Sequence, residues 1–228
     1  MTHIWKGAPY ENKTVDDVGS LLFTYQTRTN IRKIAYVYDI ISTVSSAYSV
    51  DKSRIYACGK SNGGGFTALL SCRPDTSSMF AAFAPVSPAL YQGTYAFHNC
   101  SPSRPVPILH VHGVEDVVTP FFGRTPEGGS FGPEPDVRLW RRQWAERNGC
   151  RGRYDGEWAQ PVVEEVHNGT WEEVWNCEGA EVRALTVEGL GHAWPSTIGL
   201  DLTGSPNHTA NFNFTSQHLV QFFSRHYL

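Results

Sequence analysis

Residues 54–70, RIYACGKSNGGGFTALL, join a short apolar run, a glycine-rich turn and a second apolar run of helical character. No other stretch constrains the fold as much, because a strand that turns tightly into a helix is the building unit of a parallel α/β sheet. The turn offers two chemistries. Gly59-Lys60-Ser61 has the ending of a phosphate-binding loop, and Gly59-Lys60-Ser61-Asn62-Gly63 fits G-x-S-x-G, which presents a nucleophilic serine. A phosphate loop needs a glycine five positions before Gly59. That position is Arg54, ahead of the strand-like run, so the cradle lacks its first glycine. The serine turn needs a strand before it and a helix after it, and both are present. In that reading Ser61 is the nucleophile, and the backbone N–H of Asn62, at the helix start, is an oxyanion donor.

The rest of the chain continues the alternation. Arg54–Cys58 reads as a strand, and GGGFTALLSC as the helix after it. FAAFAPVSP and VPILHVHG read as further strands, the second apolar enough to be covered on both faces. VRLWRRQWAERNG reads as an amphipathic helix with Leu139, Trp140, Trp144 and Arg147 on one side and Gly149 as its terminator. PVVEEVHNGTWEEVWNC reads as a hairpin turning at Asn168-Gly169. EVRALTVEG is another strand, and TSQHLVQFFSRHYL a closing helix with Leu219, Val220, Phe222 and Phe223 inward. Strands alternating with helices imply an α/β class with a mostly parallel central sheet.

A nucleophilic serine needs a base, and the base needs an orienting acid. In the α/β arrangement these follow the serine in the order acid, then histidine. Asp116 lies just past the strand VPILHVHG, with Glu115 competing for the role, and His192 lies just past EVRALTVEG between glycines. Carboxyl ends of strands are where such groups collect. His110 and His112 alternate on one strand face, but no third ligand stands at metal spacing, so no metal and no cofactor is expected.

The chain has 228 residues, enough for one domain, and a net charge of −3 gives no general pull toward nucleic acid. No apolar run is long enough to span a membrane. The five cysteines form no C-x-x-C pair, and Asn12, Asn99, Asn168, Asn207 and Asn213 each begin N-x-S/T. Together these favour a secreted glycoprotein with two disulfides and one spare thiol. Met1–Lys6 lacks the apolar core of a signal peptide, so a missing N-terminus is expected. Thr14–Asp17 looks like a helix start whose stripe, Val15 and Val18, resumes at Val37, Ile41, Val44 and Tyr48 once residues Gly19–Ile34 are removed. Those residues are expected to be an insertion, a translated intron.

WKGAPYENKTVDDV, VDKSRIYACGKSNGGGF, FAAFAPVSPALYQ, PVPILHVHGVEDVVTPFFG, WAERNGC and GLGHAWPS together resemble fungal feruloyl esterases of carbohydrate esterase family 1. That group also contains acetylxylan esterases and polyester depolymerase-like enzymes. The resemblance implies a secreted α/β-hydrolase, a three-layer sandwich, that releases ferulic acid from feruloylated plant cell-wall arabinoxylan. It places the nucleophile on Ser61, the acid on Asp116 and the base on His192. It pairs Cys72 with Cys100 and Cys150 with Cys177, and leaves Cys58 as a buried free thiol. Tyr91, Phe121 and Trp194 are candidates to stack on the phenolic acyl group, or else ordinary packing. Family members carry further strands before W-x-G-A-P-Y, including a His-Gly loop that gives the second oxyanion N–H. This chain is expected to be missing them, at a cost of about 10²–10³ in rate for one donor, so that on its own it is expected to retain little activity, the alternative being an inactive fragment that only binds carbohydrate or has no function.

Overall fold

The computed structural model describes residues 33–90, 100–125, 133–150, 160–200 and 207–228. The Thr14–Asp17 helix start, residues 19–32, Tyr91, Asn12 and Asn99 lie outside the described residues.

Among the described residues, six strands form one sheet in the order β1-β2-β3-β6-β5-β4. They are β1 (Tyr56–Lys60), β2 (Ala82–Val86), β3 (Ile108–Gly113), β4 (Val162–His167), β5 (Thr170–Trp175) and β6 (Val182–Val187). β1, β2, β3 and β6 are parallel, and β5 and β4 continue the sheet as an antiparallel hairpin. The mostly parallel α/β sheet is therefore as expected. Its antiparallel edge follows from the Asn168-Gly169 turn, too short for a crossover, with Gly169 at φ +68°.

Side-chain alternation along the strands feeds two cores, one on each face. Phe83, Ile108, Val182 and Ala184 pack with Phe66, Leu70, Trp140 and Trp144, which come from α2 (Asn62–Cys72) and α4 (Val137–Arg147). Ala84, Leu109, Val111 and Leu185 pack with Phe212, Phe214, Leu219 and Phe222, the last from α5 (Val220–Arg225). The sheet is thus sandwiched between helical layers. β2 and β3 are buried along their whole length, which is why they read as continuous apolar runs.

Several expectations shift in detail. β1 starts at Tyr56, not Arg54, because Asp51 caps a 3₁₀ turn over Lys52–Arg54, accepting from the Ser53 N–H at 3.0 Å. It then runs on to Lys60, directly before Ser61. α1 (Lys33–Ala47) begins inside the segment expected to be inserted, with Ile34 in the core. Its inward residues are Ile34, Val37, Ile41 and the half-buried Ser45, at offsets of 3, 4 and 4, a face that turns Val44 to solvent; Tyr48, past the helix end, is exposed too. In α4 the buried stripe is Val137, Trp140, Arg141 and Trp144, an i, i+3, i+4, i+7 pattern that turns Leu139 to solvent. In the last helix Leu219 and Phe222 are buried but Val220 is exposed. A π turn over Thr215–Leu219 leads into α5 and rotates the face that follows.

The structure forms both disulfides that the resemblance implied. Cys72–Cys100 ties the end of α2 to the segment before β3, and Cys150–Cys177 ties the end of α4 to the segment after β5. Each closes a loop for which chain entropy gives about 3.5 kcal/mol. Cys58 is free but exposed, not buried as expected. The reason is its place: among the described residues β1 is an edge strand. There Cys58 helps line a cavity of about 330 Å³ walled by Tyr36, Val37 and Ile40 of α1 and by Phe66 and Leu70 of α2. Desolvation by those walls pushes its thiol pKa up, so the thiolate is disfavoured.

Candidate active site

Ser61 stands between β1 and α2 at φ +57°, ψ −120°, a conformation that costs a non-glycine residue about 1–3 kcal/mol. Three backbone hydrogen bonds hold it there. The Ser61 N–H donates to Val86 O at 3.0 Å, and Ser61 O accepts from the Gly65 and Ala89 N–H groups, each at 2.9 Å. The glycines make this tight geometry sterically feasible. A Cβ on Gly59 would lie 2.5 Å from Gly63 O, and one on Gly64 would lie 2.8 Å from Val86 O and 2.9 Å from Pro88 Cα. Asn62 is the first residue of α2, so its N–H belongs to the first turn, where the helix dipole favours negative charge.

Asp116 lies three residues after β3 and His192 five residues after β6. These strands are paired neighbours, so both loops leave the same edge of the sheet as Ser61. The loops touch: Glu115 N–H donates to Leu190 O at 3.0 Å, and any Cβ on Gly113 would run into the backbone of Leu190 and Gly191. Asn207 braces them further. Its Nδ2 donates to Glu115 Oε2 at 2.6 Å, and its carbonyl accepts from the Gly191 N–H at 2.7 Å.

The acid and the histidine meet directly. His192 Nδ1 is 2.7 Å from Asp116 Oδ2, both side chains being buried. Because the carboxylate is an acceptor, Nδ1 carries the proton and Nε2 of a neutral ring is left as the base. Asp116 collects further donors: Thr119 Oγ1 at 2.9 Å on Oδ2, and the Val118 and Thr119 N–H groups at 2.9 and 2.8 Å on Oδ1. Burial pushes its pKa upward, but hydrogen bonds from His112 and His192 outweigh that and hold it well below the usual carboxylate range. Glu115 points instead at Asn207, which separates the two competing acids. A run of close polar contacts links the pair to the serine turn. Thr119 Oγ1, whose single proton goes to Asp116, lies 3.3 Å from both His192 Nδ1 and Ser87 O, and Ser87 follows the Val86 carbonyl that holds Ser61.

His110 and His112 are engaged in other ways than in a metal cluster. His112 Nε2 is 2.7 Å from Thr119 O and 3.4 Å from Asp116 Oδ2. His110 Nδ1 accepts from Arg141 Nε at 2.9 Å. Burial, then the charge of Arg141, then His112, hold the His110 pKa well below its ordinary value. Arg141 was not legible as a site residue. It is fully buried, and it also donates to Glu173 Oε2 at 2.5 Å, Thr186 Oγ1 at 2.6 Å and Leu185 O at 3.0 Å. A second buried acid, Glu134, is 3.7 Å from Arg124. Burial raises its pKa to about 7, with Asp116 adding to the rise and Arg124 opposing it.

The candidate aromatic residues fare differently. Phe121 is only 5% exposed, with its ring edge-on to His112 at 5.9 Å and the Arg141 guanidinium 5.4 Å from its centroid. It is a buried ring packed against His112 and Arg141, not an open stacking face. Its neighbour Phe122 is the exposed ring, at 61%. Trp194 packs edge-on to Phe214 at 5.5 Å and donates from Nε1 to Thr215 Oγ1 at 3.0 Å. Of the described sequon asparagines, Asn168, Asn207 and Asn213 are all exposed. The side chains of Asn207 and Asn213 are engaged, the latter accepting from the Thr197 N–H at 3.1 Å.

No family model matches the chain. It is 30% identical over 168 residues to feruloyl esterase B of Piromyces equi, covering 72% of this chain and 30% of that protein. It is 28% identical over 166 residues to the bifunctional acetylxylan esterase/xylanase XynS20E of Neocallimastix patriciarum, covering 72% of this chain and 22% of that one. Both relatives are named esterases. The chain spans less than a third of the length of either. A solved structure of a variant of Arabidopsis thaliana SOBER1 is 19% identical, with a TM-score of 0.37 over 70% of this chain and 54% of that one. No helix among the described residues is long and apolar enough to cross a membrane.

Proposed function

We propose that the chain is a serine carboxylesterase acting on feruloyl and related hydroxycinnamoyl esters of plant cell-wall arabinoxylan. The observation that carries this reading is the 2.7 Å bond between Asp116 and His192, at the same sheet edge as the strained Ser61 turn. The esterase names of both relatives support it. Ser61 attacks the ester carbonyl as His192 Nε2 takes its proton, and Asp116 holds the imidazole and stabilises its charge. The Asn62 N–H steadies the oxyanion, a contribution of about 2.7–4 kcal/mol per donor. The sugar alcohol leaves with a proton returned by His192, and water activated by His192 then releases the acid from Ser61. The protein works as a secreted enzyme on polysaccharide or oligosaccharide, without a metal or cofactor.

A second reading, deacetylation of xylan by the same residues, is favoured by the name of the second relative. Hydrolysis of feruloyl, coumaroyl and acetyl esters by the purified chain and by Ser61→Ala separates the two. Feruloyl turnover above acetyl turnover, lost in Ser61→Ala, is the expected result. Acetyl turnover alone selects the second reading, and no turnover that depends on Ser61 overturns both.

A further inference from the structure

We infer that His112 is a positioning residue for the catalytic pair, joining the Thr119 carbonyl to the Asp116 carboxylate and so fixing where Asp116 meets His192. The inference rests on the functional reading above. His112 is 1% exposed on β3, and its Nε2 faces two acceptors, Thr119 O at 2.7 Å and Asp116 Oδ2 at 3.4 Å. A nitrogen between two acceptors must carry a proton. In a neutral ring the other nitrogen, Nδ1, is then bare, and Nδ1 has no hydrogen-bond partner among the described residues. The centroid of the His112 ring lies 5.5 Å from that of His110 and 5.9 Å from that of Phe121.

A core histidine kept only for volume would gain nothing from that arrangement, because burying an imidazole is unfavourable unless it is hydrogen-bonded. The bond it makes lies where geometry matters most. The Asp116–Thr119 turn already closes on itself through the Val118 and Thr119 N–H groups and Thr119 Oγ1. Those bonds fix the carboxylate relative to its own loop. His112 ties the same loop to β3, the strand that pairs with β6 and hence with the origin of the His192 loop. The charged and titratable groups around it are Asp116 and His192 from the two loops, His110 on the same strand, Arg141 from α4, and Glu134 with Arg124 beside Asp116.

The test is the hydrogen-bonded Nδ1 proton of His192, followed by imidazole NMR in the full chain and in His112→Leu and His112→Gln. In His112→Leu, Asp116 loses a donor and becomes the stronger acceptor for His192, and that proton resonance moves to lower field. Turnover of the ester substrate falls about tenfold to a hundredfold with KM nearly unchanged, as expected for a misplaced catalytic group. Gln, whose carboxamide can donate from nearly the same place, restores both. If Leu does not fold, Asn takes its place, being polar but too short to reach Thr119. An unchanged Nδ1 proton resonance in a folded Leu or Asn variant overturns the proposal, as does a Gln variant no better than Leu or Asn. If the wild-type chain hydrolyses none of the esters, the functional reading fails, while the proton resonance still decides the role of His112.

Discussion

Replacing Glu134 with Gln should make the protein more stable at high pH and leave it unchanged at low pH. Glu134 is 6% exposed, and its carboxyl pKa rises from 4.5 to about 7 because burial disfavours the charged form. The folded state therefore binds this proton more tightly than the unfolded state, and stability is lost as pH rises from about 4.5 through about 7. At 1.36 kcal/mol per pH unit, the full penalty is about 3 kcal/mol. The 3.7 Å pair with Arg124 already counts against it, because the charge of Arg124 is among the causes of the final value. His218, whose pKa falls to about 4 through burial, then His167 and Arg183, works in the opposite direction over pH 4 to 6.5. The difference between variant and wild type cancels that contribution. Urea unfolding at pH 4.5 and pH 8, with disulfides intact, is the assay. The variant should match wild type at pH 4.5 and exceed it by up to about 3 kcal/mol at pH 8. A difference that is the same at both pH values would refute the assignment of a raised Glu134 pKa.

Four further outcomes are expected. Asp116→Asn should fold but lose about 10⁴ in turnover, because an amide facing Nδ1 permits the wrong tautomer of His192; steady-state kinetics at pH 7 check this. Asn207→Ala should lower turnover several-fold at unchanged KM, since it removes the side-chain bond to Glu115 and leaves only the backbone bond from the Gly191 N–H, while Asn207→Gln should rescue little, its longer side chain missing Glu115. Peptide mapping of protein from a glycosylating host should find glycan at Asn168 before Asn207, whose Nδ2 is committed to Glu115. Reducing the disulfides, or replacing Cys150 and Cys177 together, should cost about 2–5 kcal/mol in the same urea assay.

The serine turn was legible because its requirements are local. Gly59 and Gly64 mark close approaches of backbone, and an apolar run on each side fixes strand and helix. The positions of Asp116 and His192 were legible for a related reason: each follows a strand directly, and strands that share a direction deliver their loops to one edge. What sequence left hidden depends on side-chain direction. Arg141 sits in an apolar helical stripe and reads as a surface residue until its four partners on β3, β5 and β6 are known. His112 reads only as a strand histidine on the same face as His110, because only the folded turn brings Thr119 O to its Nε2. Phe121 and Phe122 are adjacent in sequence, and nothing in the pattern says that the first is buried and the second exposed. Likewise the outward turn of Val220 depends on the π turn before it, which apolar spacing does not encode.

The nucleophile is the centre of the proposed function, and a fluorophosphonate reagent tests it without assuming a substrate. Intact-mass and peptide analysis of the treated chain should find a single adduct on Ser61, with ester hydrolysis lost in proportion to labelling and no adduct in Ser61→Ala. Labelling at another residue, or hydrolysis that survives in Ser61→Ala, would contradict the assignment.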